Sequence, residues 1–488
     1  DCWKQNGAAQ YDACNQIIES NRLFGRPISH KNLEIILLNR GVAKFNKGQL
    51  DSANADFDKA IELNPNFAVA YRNRGLTYYE KGQYDRAVMD YDKAIQLNPN
   101  DIESYYRRAR AYQEGGRHDK AIADYDKTLK FDPKYINAYI NRGLAFNNKG
   151  HYHQAIEDFR NAIQLDPTNA SAYYNRGLAY HNKSQHGHAI KDYTNAIQLD
   201  PTNASAYYNR GLAYHNKSQH DHAIKDYTNA IQLDPTYASA YYNRGLAYHI
   251  KGVHDSAITD YDQAIELNPR HVSAYNNRGL VYAKMGHQDR ALIEYSRVIK
   301  LNPNHSDAYN NRGNIYYQKG QYDLAIKDYS YAIRLNSKHV DAYNNRGNAY
   351  DKIGKQEQAI DDYSRVIQLD PTYGIAYFNR GTAYDDIGQH DLAMEDLNKA
   401  VQLDPEYAPA YNNRGLVYAK KGQYDRAIVE YDQAIQLNPN LAKVYNNRGS
   451  AYYKKGITAK AIVDYKKALE IDPSYKFALY NLENLGIK

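Results

Sequence analysis

The sequence predicts an all-α protein built as a stack of helical hairpins, and three observations support this prediction. The first is a 34-residue period: residues 276–303 and 412–439 are nearly the same sequence, 136 residues apart, which is four periods. The second is a fixed set of small and turn-forming residues within each period. The third is the helical spacing of the residues between them. Such units bury their faces only by stacking on neighbours.

Thirteen repeats run without an insertion from Glu34 to Tyr475, with positions 1 to 34 of the first repeat counted from Glu34. Position 8 is Gly in twelve repeats, position 20 is Ala in all thirteen, and position 32 is Pro in twelve. Repeats 170–203 and 204–237 differ at only two positions, which indicates a recent duplication.

Each repeat is predicted to contain two helices joined by a tight turn. Positions 2 to 14 form the first helix, as in residues 69–81, where Tyr71 and Gly75 have helical spacing. Gly82 is suited to the C-terminal cap of this helix. Positions 18 to 30 form the second helix, and the Pro at position 32 ends it because Pro cannot continue a helix. Small residues at positions 8 and 20 allow the two helices to approach closely.

These residues resemble the tetratricopeptide repeat (TPR) family, with Gly at position 8, Tyr at 11, Ala at 20 and 27, Tyr or Phe at 24, and Pro at 32. The resemblance covers residues 34–475, about nine-tenths of the chain. It implies a right-handed superhelical solenoid of about thirteen hairpins. In such a solenoid the first helices line a concave groove and the second helices form the convex back.

The two ends depart from the repeat and are predicted to cap the solenoid. Residues 1–33 are expected to form a cap helix, within residues 8–20, followed by an irregular connector. Residues 476–488 are expected to form a short capping helix over the last hairpin. Atypical terminal units of this kind protect the faces that a solenoid leaves exposed.

Composition and motifs favour a non-catalytic protein. The net charge of +6 is small for 488 residues, so it gives no indication of nucleic acid or of an anionic membrane as partner. No run of 18 apolar residues is present to span a bilayer. No nucleophile with an adjacent base and no glycine-rich phosphate loop stands out, so we expect no enzyme activity and no cofactor.

The N-terminal segment favours export. The chain begins at Asp1 rather than Met, and its two Cys precede "NRG" repeats in a pattern that resembles exported bacterial TPR proteins. We therefore expect a periplasmic, cell-surface or extracellular location, with a cytoplasmic location as the alternative. Cys2 and Cys14 form a disulfide only if the chain turns between them, because on one helix they would lie about 18 Å apart. The alternative is two unpaired thiols.

Two charged columns predict ion pairs within the hairpins. Position 7 is Arg and position 23 is acidic in all thirteen repeats, and both lie eight residues from the turn at position 15. Antiparallel helices bring such positions together, so pairs such as Arg74–Asp90, Arg176–Asp192 and Arg278–Glu294 are expected as charge-assisted, fork-shaped contacts. The alternative is a stripe of arginines that face a ligand.

Position 6 is Asn in twelve repeats, and we call these residues the asparagine column. Asn is a mediocre helix former, so its repetition in mid-helix needs a reason. One reason is packing, through a hydrogen bond to the neighbouring hairpin. The other is binding, because the column resembles the asparagine ladder in the TPR domain of O-linked N-acetylglucosamine transferase. The predicted binding members are Asn73, Asn141, Asn175, Asn209, Asn243, Asn277, Asn311, Asn345, Asn379 and Asn413.

Aromatic and histidine side chains are predicted beside this column in the middle repeats. Position 5 carries Tyr174, Tyr208 and Tyr242, and position 12 carries His181, His215 and His249. These groups favour polar and aromatic contacts with a protein or peptide. The H-x-H pairs at 186/188 and 220/222 are typical of metal ligands, but alternate residues of a helix do not face each other, so no metal site is predicted.

Five N-x-S sequons give a weak prediction of glycosylation, at Asn169, Asn182, Asn203, Asn216 and Asn304. The leading functional hypothesis is a binding scaffold that holds an extended polypeptide in its groove. The alternative is a structural filament, because nearly identical units have end faces that resemble their internal interfaces, and open head-to-tail stacking produces fibres. The partner is then either a protein segment or further copies of the chain.

Overall fold

The computed structural model describes residues 8–23 and 26–487, and nearly all of its regular structure is helical. The chain divides into two compact units, residues 1–251 and 252–488. Consecutive helices pack as hairpins within each unit, so the predicted all-α solenoid of helical hairpins is confirmed. Among the described helices, none combines the length and the apolarity needed to cross a bilayer.

The first unit contains fourteen described helices and one small antiparallel ribbon. The ribbon pairs β1 (Arg22–Leu23) with β2 (Arg26–Pro27). Its helices are α1 (Ala8–Ser20), α2 (His30–Asn46), α3 (Leu50–Leu63), α4 (Ala68–Glu80), α5 (Tyr84–Leu97), α6 (Ile102–Glu114), α7 (His118–Phe131), α8 (Ile136–Asn148), α9 (Tyr152–Leu165), α10 (Ala170–Asn182), α11 (His186–Leu199), α12 (Ala204–Asn216), α13 (His220–Leu233) and α14 (Ala238–Ile250).

The second unit also contains fourteen described helices, and its last helix follows the thirteenth repeat. These helices are α15 (His254–Leu267), α16 (Val272–Lys284), α17 (Gln288–Leu301), α18 (Ser306–Gln318), α19 (Tyr322–Leu335), α20 (Val340–Lys352), α21 (Gln356–Leu369), α22 (Gly374–Asp386), α23 (His390–Leu403), α24 (Ala408–Lys420), α25 (Tyr424–Leu437), α26 (Ala442–Lys454), α27 (Thr458–Ile471) and α28 (Lys476–Asn484).

From α3 to α27, each helix begins one residue earlier than predicted: first helices occupy positions 1 to 13 and second helices positions 17 to 30. At the end of α4, the backbone N–H of Lys81 donates to the carbonyl of Thr77 at 3.2 Å, and that of Gly82 donates to the carbonyl of Tyr79 at 2.9 Å. Gly82 then takes a φ of +71° and turns the chain. Ser184 and Ser218 hold the same left-handed conformation at the equivalent position, at φ of +59° and +58°.

The core of a hairpin depends on the glycine at position 8. A Cβ atom on Gly75 would lie 2.9 Å from the ring of Tyr91, and on Gly211 it would lie 2.7 Å from the ring of Tyr227. Real Cβ atoms do not approach rings so closely, so in these hairpins the glycine makes room for the aromatic residue at position 24 between the two helices. The rings of Tyr91 and Tyr227 are fully buried as a result.

The N-terminal region contains a feature that the sequence did not predict. Residues 21–32, expected to be an irregular connector, include the β1–β2 ribbon and the start of α2, where the side chain of Ser29 accepts the backbone N–H of Asn32. Cys14 is buried against Ile36. The Cys2–Cys14 disulfide involves Cys2, which lies outside the described residues, and export stays a prediction.

The two helices of a repeat have different neighbours within a unit. First helices of consecutive repeats contact each other, as α10 does with α12 and α18 does with α20. Second helices of consecutive repeats make no comparable contact in the described part of the chain. The first helices are therefore the more crowded side of each unit, and we call the surface that they form the inner face.

Candidate functional site on the inner face

The arginines at position 7 bind carboxylates, and Arg74 shows the arrangement with partners in two repeats. Arg74 donates from Nε and Nη2 to the two carboxylate oxygens of Asp90, at 2.8 and 2.6 Å, in the same hairpin. Its remaining nitrogen, Nη1, donates to Asp58 of the preceding repeat at 2.6 Å. The hydrogen bond to Asp90 raises the pKa of Arg74 above its ordinary value. An arginine bound on both sides is a structural residue, not a free ligand contact.

The other predicted pairs also form, but their geometry and their second partner vary. In Arg278, Nη2 alone donates to both carboxylate oxygens of Glu294. Arg176 lies 2.7 Å from Asp192, and Arg278 lies 2.8 Å from Glu294. Arg278 also reaches Asp262 of the preceding repeat. For Arg176 the equivalent residue in the preceding repeat is Arg160, and no second acidic partner of Arg176 is found among the described residues.

The asparagine column lies half-buried on the inner face, and its amide nitrogens cross to the preceding repeat. In the first unit the acceptor is a tyrosine hydroxyl at position 5. Asn141 donates to Tyr106, at 2.9 Å. Asn209 and Asn243 donate to their counterparts, at 3.0 Å each, namely Tyr174 and Tyr208. The packing role is therefore real, although the side chains also remain partly exposed.

In the second unit the position-5 acceptor is a second asparagine. Asn345 donates to Oδ1 of Asn310 at 3.1 Å, and Asn447 donates to Oδ1 of Asn412 at 3.0 Å. Asn379 follows the same rule with Asn344, at 3.4 Å. The two units thus use the same donor with two different acceptors.

The other predicted members of the column also lie half-buried on first helices: Asn73 on α4, Asn175 on α10, Asn277 on α16, Asn311 on α18 and Asn413 on α24. Asn175 donates to Ser171 at 3.2 Å, and Asn413 donates to the hydroxyl of Thr382 in the preceding repeat at 2.9 Å. Arg107, which interrupts the column, pairs with Glu103 at 2.6 Å.

Tyrosines at position 5 are part of the inner face in the first unit, where they pack on the tyrosines at position 24. The ring of Tyr174 packs 5.9 Å from that of Tyr193, and Tyr208 packs 5.9 Å from Tyr227, measured between centroids. Tyr242 occupies the same position on α14. These rings bury their faces and keep their hydroxyls for the asparagine column, so they belong to the same network as the amides.

The predicted histidines stand beside a second histidine across the hairpin turn. His181 lies edge-to-face with His186, and His215 with His220, at centroid distances of 5.1 Å. Burial, and then the neighbouring imidazole, lower the pKa of His181 and His215. The equivalent residue in the next repeat, His249, lies on α14.

The H-x-H pairs do not converge on one point. His188 stacks on Tyr180 at a centroid distance of 5.1 Å, whereas His186 turns toward His181. The duplicated pair behaves alike, because His222 stacks on Tyr214. Within residues 8–23 and 26–487, no group of three or more His, Cys, Asp or Glu side chains is placed to hold a metal ion.

Cavities open on the inner face between neighbouring first helices. One, of about 280 Å³, is lined by Asn314, Tyr317, Gln318, Tyr329, Asn345 and Asn348. Another, of about 250 Å³, lies between α24 and α26 and includes Asn447 and Ser450. Positions 9 and 24 contribute side chains to both cavities. At position 9 the residue changes from Leu in the duplicated repeats to Asn314 and Asn348.

The sequons fall into two groups in the structure. Asn169 and Asn203 are N-caps, and each accepts a backbone N–H three residues later, at 3.0 Å. Asn182, Asn216 and Asn304 are exposed. Their glycosylation stays a prediction.

The chain belongs to the tetratricopeptide repeat family. A family model described as TPR repeat matches residues 41–82, 75–116, 109–150, 144–184, 182–218, 247–286, 313–354, 381–422 and 417–456. Three further models, each described as tetratricopeptide repeat, also match. The first matches residues 204–237, 340–373 and 442–475, the second matches 226–259 and 294–327, and the third matches 272–305. No match to a curated protein was found. TPR folds are typically non-catalytic scaffolds for protein interactions.

Several solved structures are similar to this chain. MamA is 32% identical over 34% of this chain and 92% of its own, with a TM-score of 0.32. YrrB, a TPR protein with an unusual peptide-binding site, is 25% identical over 39% of this chain and 97% of its own, with a TM-score of 0.33. Yeast Tom70 is 17% identical over 85% of this chain and 99% of its own, with a TM-score of 0.37.

Proposed function

We propose that this chain is a non-catalytic scaffold that holds an extended polypeptide segment along the inner face of its units. The observation that carries the proposal is the asparagine column, which keeps a regularly repeated, half-buried carboxamide accessible on successive first helices. The arginines beside it are consumed by ion pairs, so the available surface is amide, tyrosine and histidine. Such groups suit hydrogen bonds with the main chain of a partner better than ion pairs with its charged side chains.

A direct test uses peptides selected from a displayed random library on the intact chain. We expect hydrogen exchange to show protection of first helices when a selected peptide binds. A variant with Asn175, Asn209 and Asn243 changed to Ala should weaken peptides that protect α10–α14 of the first unit. The matched control changes Lys191 and Lys225 to Ala, because both are exposed on second helices. Unchanged affinity in a folded column variant would exclude the column from binding.

A second candidate function is self-association through the last helix. Phe477 and Tyr480 on α28 are 68% and 63% exposed, which is unusual for large apolar side chains that neighbour each other on a helix. If α28 joins two copies, Phe477→Glu with Tyr480→Glu should convert assemblies into single molecules. Sedimentation velocity over a range of concentrations measures this. A wild-type chain that sediments as a monomer throughout would reject the filament.

A further inference from the structure

The asparagine column has a defined hydrogen-bonding polarity. A carboxamide offers two N–H donors on Nδ2 and one oxygen acceptor, Oδ1. In Asn209 both donors are used: one goes to the hydroxyl of Tyr174 at 3.0 Å and the other to the backbone carbonyl of Ser205 at 2.9 Å. Asn243 repeats this pattern with Tyr208 at 3.0 Å and the carbonyl of Ser239 at 2.9 Å.

The backbone carbonyls fix which end of each amide points inward. A carbonyl oxygen can only accept a hydrogen bond, so Nδ2 must face Ser205 in one repeat and Ser239 in the next. Rotating either amide by half a turn would bring two oxygens together and lose the hydrogen bond from Nδ2 to the carbonyl, so the observed orientation is favoured.

The second unit reaches the same polarity with different partners. Asn345 donates to Oδ1 of Asn310 at 3.1 Å and to Oδ1 of Asn314 at 3.0 Å. Asn379 donates to Asn344 at 3.4 Å and to Asn348 at 3.2 Å. Both donors of Asn345 and of Asn379 are therefore occupied as well.

The oxygens of these amides remain open. Within the described residues, no protein donor reaches Oδ1 of the column members that use both donors. These oxygens are also not among the fully buried polar atoms that lack a hydrogen-bond partner. They are therefore accessible acceptors. The members concerned are Asn209, Asn243, Asn345 and Asn379.

We propose that the asparagine column recognises the main-chain N–H groups of its polypeptide partner and not its carbonyl groups. This inference rests on the proposed function and specifies its chemistry. An amide with both hydrogens committed cannot donate without breaking an existing hydrogen bond, whereas its oxygen accepts at no such cost. The partner is therefore an extended segment with free main-chain N–H groups at the contact points, which excludes proline there.

The chain contains its own control. Asn413 donates to Thr382 like other column members, but its Oδ1 already accepts the side-chain N–H of Asn412 at 3.0 Å. The acceptor of this amide is therefore partly used. A substitution at Asn413 therefore removes a column amide of the same size and helix position, but one whose oxygen is less available to a partner.

The test compares two backbone changes in one peptide, selected from a random library on the intact chain and mapped by hydrogen exchange. Replacing a contacting amide by an ester removes its N–H, and we expect affinity to fall about 3- to 10-fold per bond lost. Replacing a contacting amide by a thioamide weakens the carbonyl acceptor and keeps the N–H, so affinity should hold or rise. Loss of affinity with thioamides but not with esters would overturn the inference while leaving peptide binding intact.

The protein side is tested in the unit that the peptide protects. Asn209→Ala with Asn243→Ala, or Asn345→Ala with Asn379→Ala, should weaken the peptide about 10-fold or more, the product of two such bonds. Asn413→Ala should change affinity less than about 2-fold for a peptide bound in the second unit. Equal losses in the double variant and in Asn413→Ala would overturn the inference. Failure to select any peptide that protects first helices would overturn both this inference and the proposed function.

Discussion

Helices α10–α13 of the first unit and α18–α22 of the second unit solve the same packing problem with different side chains. In the first unit the column amides rest on tyrosine hydroxyls, and position 9 of the duplicated repeats is Leu178 and Leu212. In the second unit they rest on other amides, and position 9 is Asn314 and Asn348. The first inner face is therefore aromatic and apolar, and the second is lined by amides.

This difference decides whether the buried tyrosine at position 24 is satisfied. Tyr329 and Tyr363 donate their hydroxyls to Asn314 and Asn348, each at 2.8 Å. Tyr193 and Tyr227 are equally buried, but their hydroxyls find no partner among the described residues. In these repeats the ring at position 24 packs on the glycine opposite, and its hydroxyl finds a partner where position 9 is Asn.

The largest expected effect comes from the ion pairs. Asp192→Ala leaves Arg176 without an acidic partner, whereas Asp362→Ala leaves Arg346 its 2.9 Å bond to Ser330. Breaking a buried pair costs about 3 to 5 kcal/mol. We expect Asp192→Ala near the upper end of this range and Asp362→Ala near the lower end.

Urea titrations of each variant, with hydrogen exchange of α10–α11 and α20–α21, measure the local free energy of opening. The control is Lys191→Ala, next to Asp192 but exposed, which should change stability by less than about 0.5 kcal/mol. Equal losses for the two aspartates would show that the second partner of the arginine contributes nothing.

Removing the hydroxyl at position 24 should have opposite signs in the two units. Tyr329→Phe loses the hydrogen bond to Asn314 and should destabilise its repeat by about 1 kcal/mol. Tyr227→Phe removes an unpaired buried hydroxyl and should be neutral or stabilising. Thermal unfolding of both variants against wild type checks this. A loss of stability in Tyr227→Phe as large as that in Tyr329→Phe would reveal a partner for the Tyr227 hydroxyl.

Substitutions in the turns of the duplicated repeats should raise the stability of the chain, unlike substitutions in the turns of the second unit. Ser184 and Ser218 hold left-handed backbone conformations that Gly adopts without strain. Ser184→Gly and Ser218→Gly should therefore each stabilise the chain by about 0.5 to 1 kcal/mol. Gly320→Ser, at φ of +72°, is the reciprocal change and should destabilise. Denaturant midpoints decide the sign, and a loss of stability in both Ser→Gly variants would contradict the argument.

The smallest expected effect is the pH dependence that His181 and His215 bring to the first unit. Burial lowers the pKa of His181 and His215, so the unfolded chain binds more protons than the folded chain once the pH falls below the ordinary histidine value of about 6.5. Their neutral forms support the fold fully above that pH, and stability falls as the pH drops from there toward the lowered values.

Hydrogen exchange of α10–α13 at pH 7.5 and pH 5.5 should show faster opening at the lower pH. Substituting both histidines by Tyr, as position 12 has in Tyr317, should reduce this change. A wild-type response that the double variant leaves intact would assign the effect to other groups.

The sequence predicted the hairpins well because their signals are local and repeated. Helix ends follow from Gly and Pro at fixed positions, and Arg74 with Asp90 follows from equal distances to one turn. The β1–β2 ribbon was not predicted, because it lies outside the repeat and rests on two pairs of residues. The second partner of Arg74, Asp58, was not assigned either, because it belongs to the neighbouring repeat.

By itself the sequence determined the period, the two helices of each repeat, the small residues that let them approach, and the column of amides. These follow from chain geometry, which acts over a few residues. Only the tertiary structure decided which atom of each amide is spent on the neighbouring repeat and which remains open. That choice depends on the Tyr or Asn side chain that stacking brings from 35 residues earlier, as with Asn209 and Tyr174 or Asn345 and Asn310, and on the backbone carbonyl beneath it.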